Sequence, residues 1–203
     1  MSIEPLLKVS GLRCHGLAPV DLVLGDRECI AVRGPSGAGK SLLLRGIADL
    51  DPCEGNVWLG GMSRDEMPAP TWRRQVVYVA AEPGWWAETP AAHFPDVGKA
   101  EALASRLGLT ADLLSRPVTR LSTGQRQRLA LARALARKPR VLLLDEPTAA
   151  LDVDARTLAE ALVEEYRGQG AGVIWVTHDA GQASRVAGRT LIVENGAVRE
   201  VMP

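Results

Sequence analysis

The sequence predicts an α/β fold whose core has three layers around a mainly parallel sheet. Two observations favour this class. Apolar runs of strand length alternate with stretches of helical periodicity along the 203 residues. The run from Val141 to Leu144 is apolar at every position, which is typical of a parallel strand covered on both faces. A chain of this length can bury one full core, so we expect a single domain over 1–203.

The first predicted strand and helix flank a glycine-rich loop. Residues 28–33 form the strand, and Leu43, Ile47 and Leu50 follow the loop at helical spacing. We expect this helix to end at the Asp-Pro step of residues 51–52, because proline disfavours a helical residue before it. Two further strands are predicted, at residues 56–59 before a Gly-Gly turn and at residues 75–79.

The middle of the chain changes character. Prolines, glycines and Ala-Leu stretches from about 82 to 121 predict a separate helical lobe, with Leu103, Leu107 and Leu109 facing its small core. With the Arg-rich helix that follows, the predicted helical subdomain covers 82–138. The arginines of that helix are interpreted as a solvated face; they are Arg126, Arg128, Arg133 and Arg137.

The C-terminal part returns to strands and helices. Leu158, Leu162 and Tyr166 mark a crossover helix, and residues 172–177 predict the next buried strand. The tail contains an Asn-Gly step at residues 195–196, which is a strong hairpin signal. The whole pattern is that of strands linked by crossover helices in a parallel sheet.

Composition narrows the range of partners. Basic and acidic residues balance at 24 each, so we expect neither nucleic-acid binding nor direct membrane insertion. Apolar runs fall far short of the ~20 residues that span a bilayer. Cys14, Cys29 and Cys53 are widely spaced, and we expect them to be buried thiols in a reducing compartment rather than a disulfide or a zinc site.

The glycine-rich loop matches the phosphate-binding pattern G-x-x-x-x-G-K-[ST] between a strand and a helix. Its residues are Gly34, Pro35, Ser36, Gly37, Ala38, Gly39, Lys40 and Ser41, and we extend the predicted nucleotide contact to Leu42. Glycines let backbone N–H groups converge on phosphate oxygens, and the helix N-terminus adds its positive dipole end. We expect Lys40 to reach the β- and γ-phosphates and Ser41 to bind Mg²⁺. A glycine turn without a ligand is the alternative, and the complete match in this context disfavours it.

An acidic pair follows the buried strand. Asp145 ends that strand, so its carboxylate is expected at the carboxyl edge of the sheet, where it would hold Mg²⁺. Glu146 comes directly after it. A surface pair that merely caps a strand is the alternative, but four apolar residues precede this pair and a Pro-Thr step follows it.

The most restrictive pattern is the run Leu121-Ser122-Thr123-Gly124-Gln125, which feeds an Arg-rich helix that leads to the strand ending in Asp-Glu. It resembles the signature of the ATP-binding cassette (ABC) family. The resemblance implies a P-loop NTPase fold, with an antiparallel β subdomain and a short helical lobe beside the core. It covers nearly the whole chain, from about residue 6 to residue 201.

The resemblance also implies roles for single residues. Glu146 would polarise the attacking water, and His178 matches the switch histidine that contacts the γ-phosphate. Asp152 stands at the acidic position of a segment, 147–152, that resembles the D-loop of the family. Ser122, Gly124 and Gln125 would contact the γ-phosphate of ATP held by a second copy, so that two subunits enclose two ATP molecules head to tail. A lone histidine is usually structural, but the Thr-His-Asp context after a buried strand favours function here.

Three departures from the family pattern stand out. Thr123 replaces the usual glycine of the signature. Ala81 stands where the family places a glutamine that senses Mg²⁺, and we hypothesise that Glu82 supplies the oxygen ligand instead. His15 is the only ring before the phosphate loop that could stack on adenine, and a plain turn residue is an equal alternative.

By resemblance, the chain is identified as the ATP-binding subunit of an ABC transporter. It would hydrolyse ATP with Mg²⁺ and drive a separately encoded integral membrane permease from the cytoplasmic face of the membrane. The Trp85-Trp86 pair either packs internally or forms an aromatic anchor for that permease. The segment around it loosely resembles small cassettes paired with iron-export-type permeases. Two alternatives remain, a soluble non-transport ABC ATPase and a non-hydrolysing regulatory clamp.

Overall fold

Strands and helices alternate along the chain as the apolar pattern predicts. The computed structural model describes residues 4–201, with ten strands and six α-helices in that range. The strands are β1 (Leu7–Cys14), β2 (Val20–Leu24), β3 (Cys29–Arg33), β4 (Cys53–Leu59), β5 (Met62–Ser63), β6 (Val76–Val79), β7 (Val141–Asp145), β8 (Gly172–Val176), β9 (Arg189–Glu194) and β10 (Ala197–Val201). The helices are α1 (Lys40–Ile47), α2 (Ala69–Gln75), α3 (Val97–Arg106), α4 (Thr123–Ala136), α5 (Val153–Gly168) and α6 (Ala180–Val186).

A six-stranded sheet forms the centre in the order β10-β9-β3-β8-β7-β6. The five strands from β9 to β6 run parallel, and only β10 is antiparallel to its neighbour. The β9–β10 hairpin turns at Asn195 and Gly196, which both have positive φ angles, 50° and 76°. The predicted parallel sheet and the predicted hairpin are thus confirmed.

The inner strands β3, β7 and β8 are covered on both faces, which explains why they lack polar alternation. In β7, Leu142 and Leu144 enter one apolar cluster with α4 and α5, while Val141 and Leu143 enter a second cluster. The second cluster contains α1 and the antiparallel strands, so that α1 lies between the two sheets. The predicted three-layer architecture is present.

The antiparallel sheet has four strands in the order β2-β1-β4-β5. The pairing of its strands shows that the prediction of free thiols was wrong for Cys14 and Cys53. β1 and β4 are neighbours, and their register places Cys14 opposite Cys53, where the two residues form a disulfide. Spacing along the chain could not indicate this bond, because its partners lie 39 residues apart and only strand pairing brings them together. Cys29 is the free, buried thiol that we expected.

The helix after the glycine-rich loop ends earlier than predicted. α1 ends at Ile47, and the N–H groups of Asp49 and Leu50 donate to the carbonyls of Gly46 and Arg45. Asp49 has a φ of 60°, so these bonds form a Schellman cap, which ends the helix before the proline does. Leu50 therefore lies outside the helix and is 43% exposed.

The segment 82–138 contains α3, α4 and three short 3-10 turns. Leu107 and Leu109 are buried in its core and Leu103 packs against them, as predicted. The boundary 82–138 itself stays a prediction, because the same apolar cluster continues into the parallel sheet. Within residues 4–201, no helix has the length and apolar character needed to cross a bilayer.

Candidate functional site

Four parallel strands end at one edge of the central sheet, and the candidate residues follow them. The glycine-rich loop follows β3, the acidic pair closes β7, His178 follows β8, and Glu82 comes shortly after β6. The carboxyl edge of a parallel sheet is where ligands bind in such folds, because loops of several strands meet there. The structure thus gathers residues that are widely separated in the sequence.

The glycine-rich loop wraps around the N-terminus of α1. Gly34 has a φ of 145°, and a Cβ at this position would lie 2.0 Å from the carbonyl oxygen of Val193. Only glycine fits this close approach. Lys40 begins α1 and is 6% exposed, and its Nζ donates to the carbonyls of Gly34 (2.9 Å) and Pro35 (2.8 Å). The ammonium group therefore lies across the loop, beside its backbone, while Ser41 is exposed.

Asp145 is buried at the end of β7, with 4% exposure. Its Oδ2 accepts a hydrogen bond of 2.8 Å from the hydroxyl of Tyr78 on the neighbouring strand β6. Burial and this bond to the carboxylate raise the pKa of Tyr78, so the phenol remains a donor. The second carboxylate oxygen is left to other partners. Tyr78 was not predicted from the sequence; its place in a strand beside that of Asp145 would have been the only signal.

Glu146 and His178 form a close pair. His178 Nε2 lies 2.7 Å from Glu146 Oε1, and the two side chains are 44% and 28% exposed. Glu146 has a φ of 48°, a left-handed conformation that costs on the order of 1 kcal/mol for a residue with a Cβ. A small cavity of about 130 Å³ lies against both side chains. Both side chains therefore border this small open space.

A polar network lies beside this pair. Gln182 on α6 is 3% exposed, and its Nε2 donates to Thr148 (2.8 Å) and to Glu160 (2.7 Å). Asp179 follows His178 and caps α6 by accepting from the N–H of Gln182, a bond that lowers the pKa of Asp179. The segments after β7 and after β8 are therefore tied together.

The signature residues surround the start of α4. Ser122 is the exposed N-cap, and it exchanges hydrogen bonds with Gln125 in a capping box, at 3.2 Å and 2.9 Å. A Cβ on Gly124 would lie 2.9 Å from the carbonyl oxygen of Ala150, so glycine permits close packing on the 147–152 segment. Thr123 is exposed, and its side chain is accommodated where the family has glycine. The structure therefore places the signature against the D-loop segment of its own chain.

Asp152 directly precedes α5 and caps this helix with its carboxylate. Its Oδ1 accepts a hydrogen bond of 2.8 Å from the N–H of Ala155. The side chain is exposed, so it has a structural partner in the chain and a free side towards solvent. Glu82 is also exposed, and its contact with a metal stays a prediction.

An open cleft of about 940 Å³ lies beside the glycine-rich loop. Its lining includes Arg13, His15 and Leu17. Leu17 also lies next to the glycine-rich loop, because a Cβ added at Gly39 would be 3.1 Å from the Leu17 side chain. His15 is exposed on the wall of this cleft. The cleft is open to solvent and adjoins the glycine-rich loop.

The helical segment carries an aromatic cluster. The Arg133 guanidinium stacks over the rings of Trp85 (4.5 Å) and Trp86 (5.0 Å) and donates to the Gly84 carbonyl. Burial lowers the pKa of Arg133 to about 10. The prediction of a solvated arginine face was therefore wrong for Arg133, because the tryptophans of the preceding loop fold over it. Trp86 is nevertheless 71% exposed.

Arg128 departs from the predicted solvated face as well. It donates to the Leu107 carbonyl (2.9 Å), and burial lowers its pKa. Arg137 is exposed, as predicted. The groove between the aromatic cluster and β6 measures about 280 Å³ and is lined in part by Leu50, Val77 and Trp86.

Comparison with known proteins agrees with this site. Residues 17–149 match the family described as ABC transporter. The Fe(3+) ions import ATP-binding protein FbpC of Streptomyces avermitilis is 37% identical over 96% of the chain and 61% of its own length. An aliphatic sulfonates import ATP-binding protein, SsuB of Rhodopseudomonas palustris, is 37% identical over 90% of the chain and 66% of its own length. The chain thus spans about three fifths to two thirds of these relatives.

Solved structures give the same result. An ATP-binding subunit of an ABC transporter superposes with a TM-score of 0.87 at 26% identity, covering 97% of this chain and 90% of the other. A dimeric ATP-binding cassette in a post-hydrolysis state with ADP and Pi superposes with a TM-score of 0.86 at 25% identity, covering 97% and 98%. The family match, the sequence relatives and the fold agree with the loops at the sheet edge, and the chain belongs to the ABC transporter family.

Proposed function

We propose that the chain binds and hydrolyses ATP and, as a pair of subunits, drives a separately encoded membrane permease. The observation that carries this proposal is the convergence of the phosphate loop, Asp145 and the Glu146–His178 pair at one sheet edge, with 2.7 Å between the last two side chains. Relatives named as import ATP-binding proteins support the transport role.

ATP would lie along the edge of the sheet with its phosphates on the segment from Gly34 to Leu42. The backbone N–H groups of the loop and the N-terminus of α1 favour the negative charge of the phosphates. Lys40, which contacts only the loop's own carbonyls among its described hydrogen bonds, would turn its ammonium group to the β- and γ-phosphates. The adenine would occupy the cleft beside His15 and Leu17.

Mg²⁺ fits the oxygen donors at this edge. The hydroxyl of Ser41 and the carboxylate of Asp145 are hard oxygen ligands, the kind that Mg²⁺ prefers. Tyr78 holds one carboxylate oxygen of Asp145 and thereby fixes the direction of the other. Glu82 is proposed as a further oxygen ligand in place of the family's glutamine. When bound, the ion would offset the charge of the phosphate groups.

Hydrolysis would proceed by in-line attack of water on the γ-phosphorus. Glu146 would accept the proton of that water as its oxygen bonds to phosphorus, while the bond from phosphorus to the β–γ bridging oxygen breaks and ADP leaves. His178, held next to Glu146, would contact the γ-phosphate. Lys40 would stabilise the negative charge on the transferred group.

The signature residues would act on the ATP of a second subunit. Ser122 is exposed at the N-terminus of α4, a helix of 14 residues whose dipole favours an anion. Ser122, Gly124 and Gln125, with Asp152 close to the same segment, would complete the partner's site in a head-to-tail dimer. The solved dimeric cassette with ADP and Pi is consistent with this assembly.

The permease would dock on the groove beside the aromatic cluster, on the cytoplasmic side of the membrane. Trp86 exposes 71% of its surface there while Arg133 holds it in place, which makes it a rigid aromatic anchor. The relatives are named for import of Fe(3+) ions and aliphatic sulfonates, so they give no support to the finer resemblance to iron-export cassettes.

The Glu146→Gln variant tests the enzymatic part. We expect ATP turnover to fall by at least about 10²-fold, because the general base is lost. ATP binding should persist, and the variant should elute as a dimer in size-exclusion chromatography with ATP. Glu101→Gln, an exposed change on α3, is the matched control with unchanged turnover.

Wild-type turnover in Glu146→Gln would refute the assignment of the base, and a monomer with ATP would refute the dimer. The absence of ATP turnover in the wild-type chain would instead favour the regulatory clamp. Co-purification with the membrane protein encoded beside this chain separates a transporter from a soluble ABC ATPase.

A further inference from the structure

We infer that Gln127 is a positioning residue for ATP hydrolysis. Its side chain holds the backbone of Glu146 and links Glu146 to helix α4. The inference rests on the proposed role of Glu146 as general base. Gln127 lies in the second turn of α4, and its side chain is buried at 2% exposure. A buried amide in an otherwise apolar helix face requires partners for its polar atoms.

Both hydrogen-bond partners of the Gln127 side chain are backbone groups in the segment 146–150, which follows β7. Its Nε2 donates to the carbonyl oxygen of Glu146 at 2.7 Å, and its Oε1 accepts from the N–H of Ala150 at 3.2 Å. These two bonds settle the orientation of the amide, because a flipped amide would place N–H against N–H and oxygen against oxygen. One side chain thus clamps the residues on either side of the Pro-Thr step.

Glu146 is the residue that most needs such support. Its φ of 48° is a conformation that a side chain with a Cβ rarely adopts, and it persists only when neighbouring groups hold it. The N–H of Glu146 donates to the carbonyl of Val176 at 3.1 Å, and its carbonyl accepts from Gln127. Both ends of the residue are therefore fixed, and the carboxylate reaches His178 at 2.7 Å.

Helix α4 contacts the segment 146–150 at a second point. Gly124 packs so closely on Ala150 that an added Cβ would lie 2.9 Å from its carbonyl oxygen. Gln127 and Gly124 stand on one face of α4, three residues apart. The turn that carries Ser122 and the residue that carries the base are thus parts of one rigid unit. A displacement of the signature turn would be transmitted directly to the peptide of Glu146.

The test is a double-mutant cycle with Glu146→Gln, in single-turnover ATP hydrolysis by the full chain. Gln127→Met keeps the length and apolar packing but removes both hydrogen bonds. We expect Gln127→Met to lower the hydrolysis rate by about 10- to 100-fold with ATP affinity changed less than twofold. In the Glu146→Gln background, the same change should have almost no further effect, because Gln127 acts through Glu146.

Equal loss in both backgrounds, or a wild-type rate in Gln127→Met, would overturn the inference while leaving the proposed function intact. A wild-type rate in Glu146→Gln would overturn both. If Gln127→Met does not fold, Gln127→Asn takes its place, since the shorter amide draws both bonds out of reach, and the same outcomes apply. Gln169→Met, an exposed change at the residue that follows α5, is the matched control with an unchanged rate.

Discussion

Reduction of the disulfide between Cys14 and Cys53 should destabilise the chain measurably. The bond closes a loop with a sequence separation of 39 residues, which contains the phosphate loop and α1. Closing a loop of this size removes about 13 cal/mol/K of entropy from the unfolded chain, or about 4 kcal/mol at 25 °C. For a protein of this length, about 2–4 °C accompanies each kcal/mol, so we expect the melting temperature to fall by about 8–16 °C.

Thermal unfolding followed by circular dichroism, with and without a phosphine reductant, measures this change. A variant in which Cys14 and Cys53 are both replaced by alanine should melt near the reduced wild type and should no longer respond to the reductant. Cys29→Ala is the control, and it should retain the response. Melting temperatures that agree within about 2 °C before and after reduction would refute the reasoning, as would a response that survives in the double variant.

Four further results are expected. Burial raises the pKa of Cys29 to about 12, so thiol titration of the folded, unreduced chain should find no reactive group at pH 8, and a free thiol there would contradict the structure. Gly46→Ala should lower the free energy of unfolding in urea by about 1–3 kcal/mol, because its Cβ would lie 2.6 and 2.8 Å from the disulfide sulfurs. An unchanged free energy of unfolding would show that the sulfurs move. Glu82→Ala should shift the Mg²⁺ dependence of ATP turnover to higher concentration, and an unchanged rate and dependence would remove Glu82 from the metal site. Trp86→Ala should weaken co-purification with the permease by about tenfold or more, whereas Met62→Ala, on the exposed strand β5, should not; equal recovery in both would place docking elsewhere.

The parallel sheet and its loops could be predicted because the signals are local. Val141 to Leu144 shows its two-sided burial in composition alone, and the glycine-rich loop announces a tight turn before a helix. The hairpin at Asn195 rests on the same kind of information, since a turn with two positive φ angles favours Asn-Gly. The order of the motifs then predicted which strand ends carry the site.

Contacts between distant segments could not be predicted from local sequence patterns. The disulfide was missed because the partnership of β1 and β4 is set by sheet pairing, which no local pattern encodes. Arg133 was interpreted as part of a solvated arginine face, but the loop with Trp85 covers it. Tyr78 gave no signal except its proximity in the sheet to Asp145.

The amino-acid sequence alone determined the family, the glycine-rich loop and the candidate residues that we propose for ATP binding and hydrolysis, since each depends on residue types at fixed short spacing. Tertiary structure alone decided how those residues are held. The 2.7 Å approach of His178 to Glu146, and the clamp of Gln127 on the backbone of Glu146, arise from strands and helices that meet across the fold. Side-chain hydrogen bonds are short and directional, so only packing in three dimensions can set them.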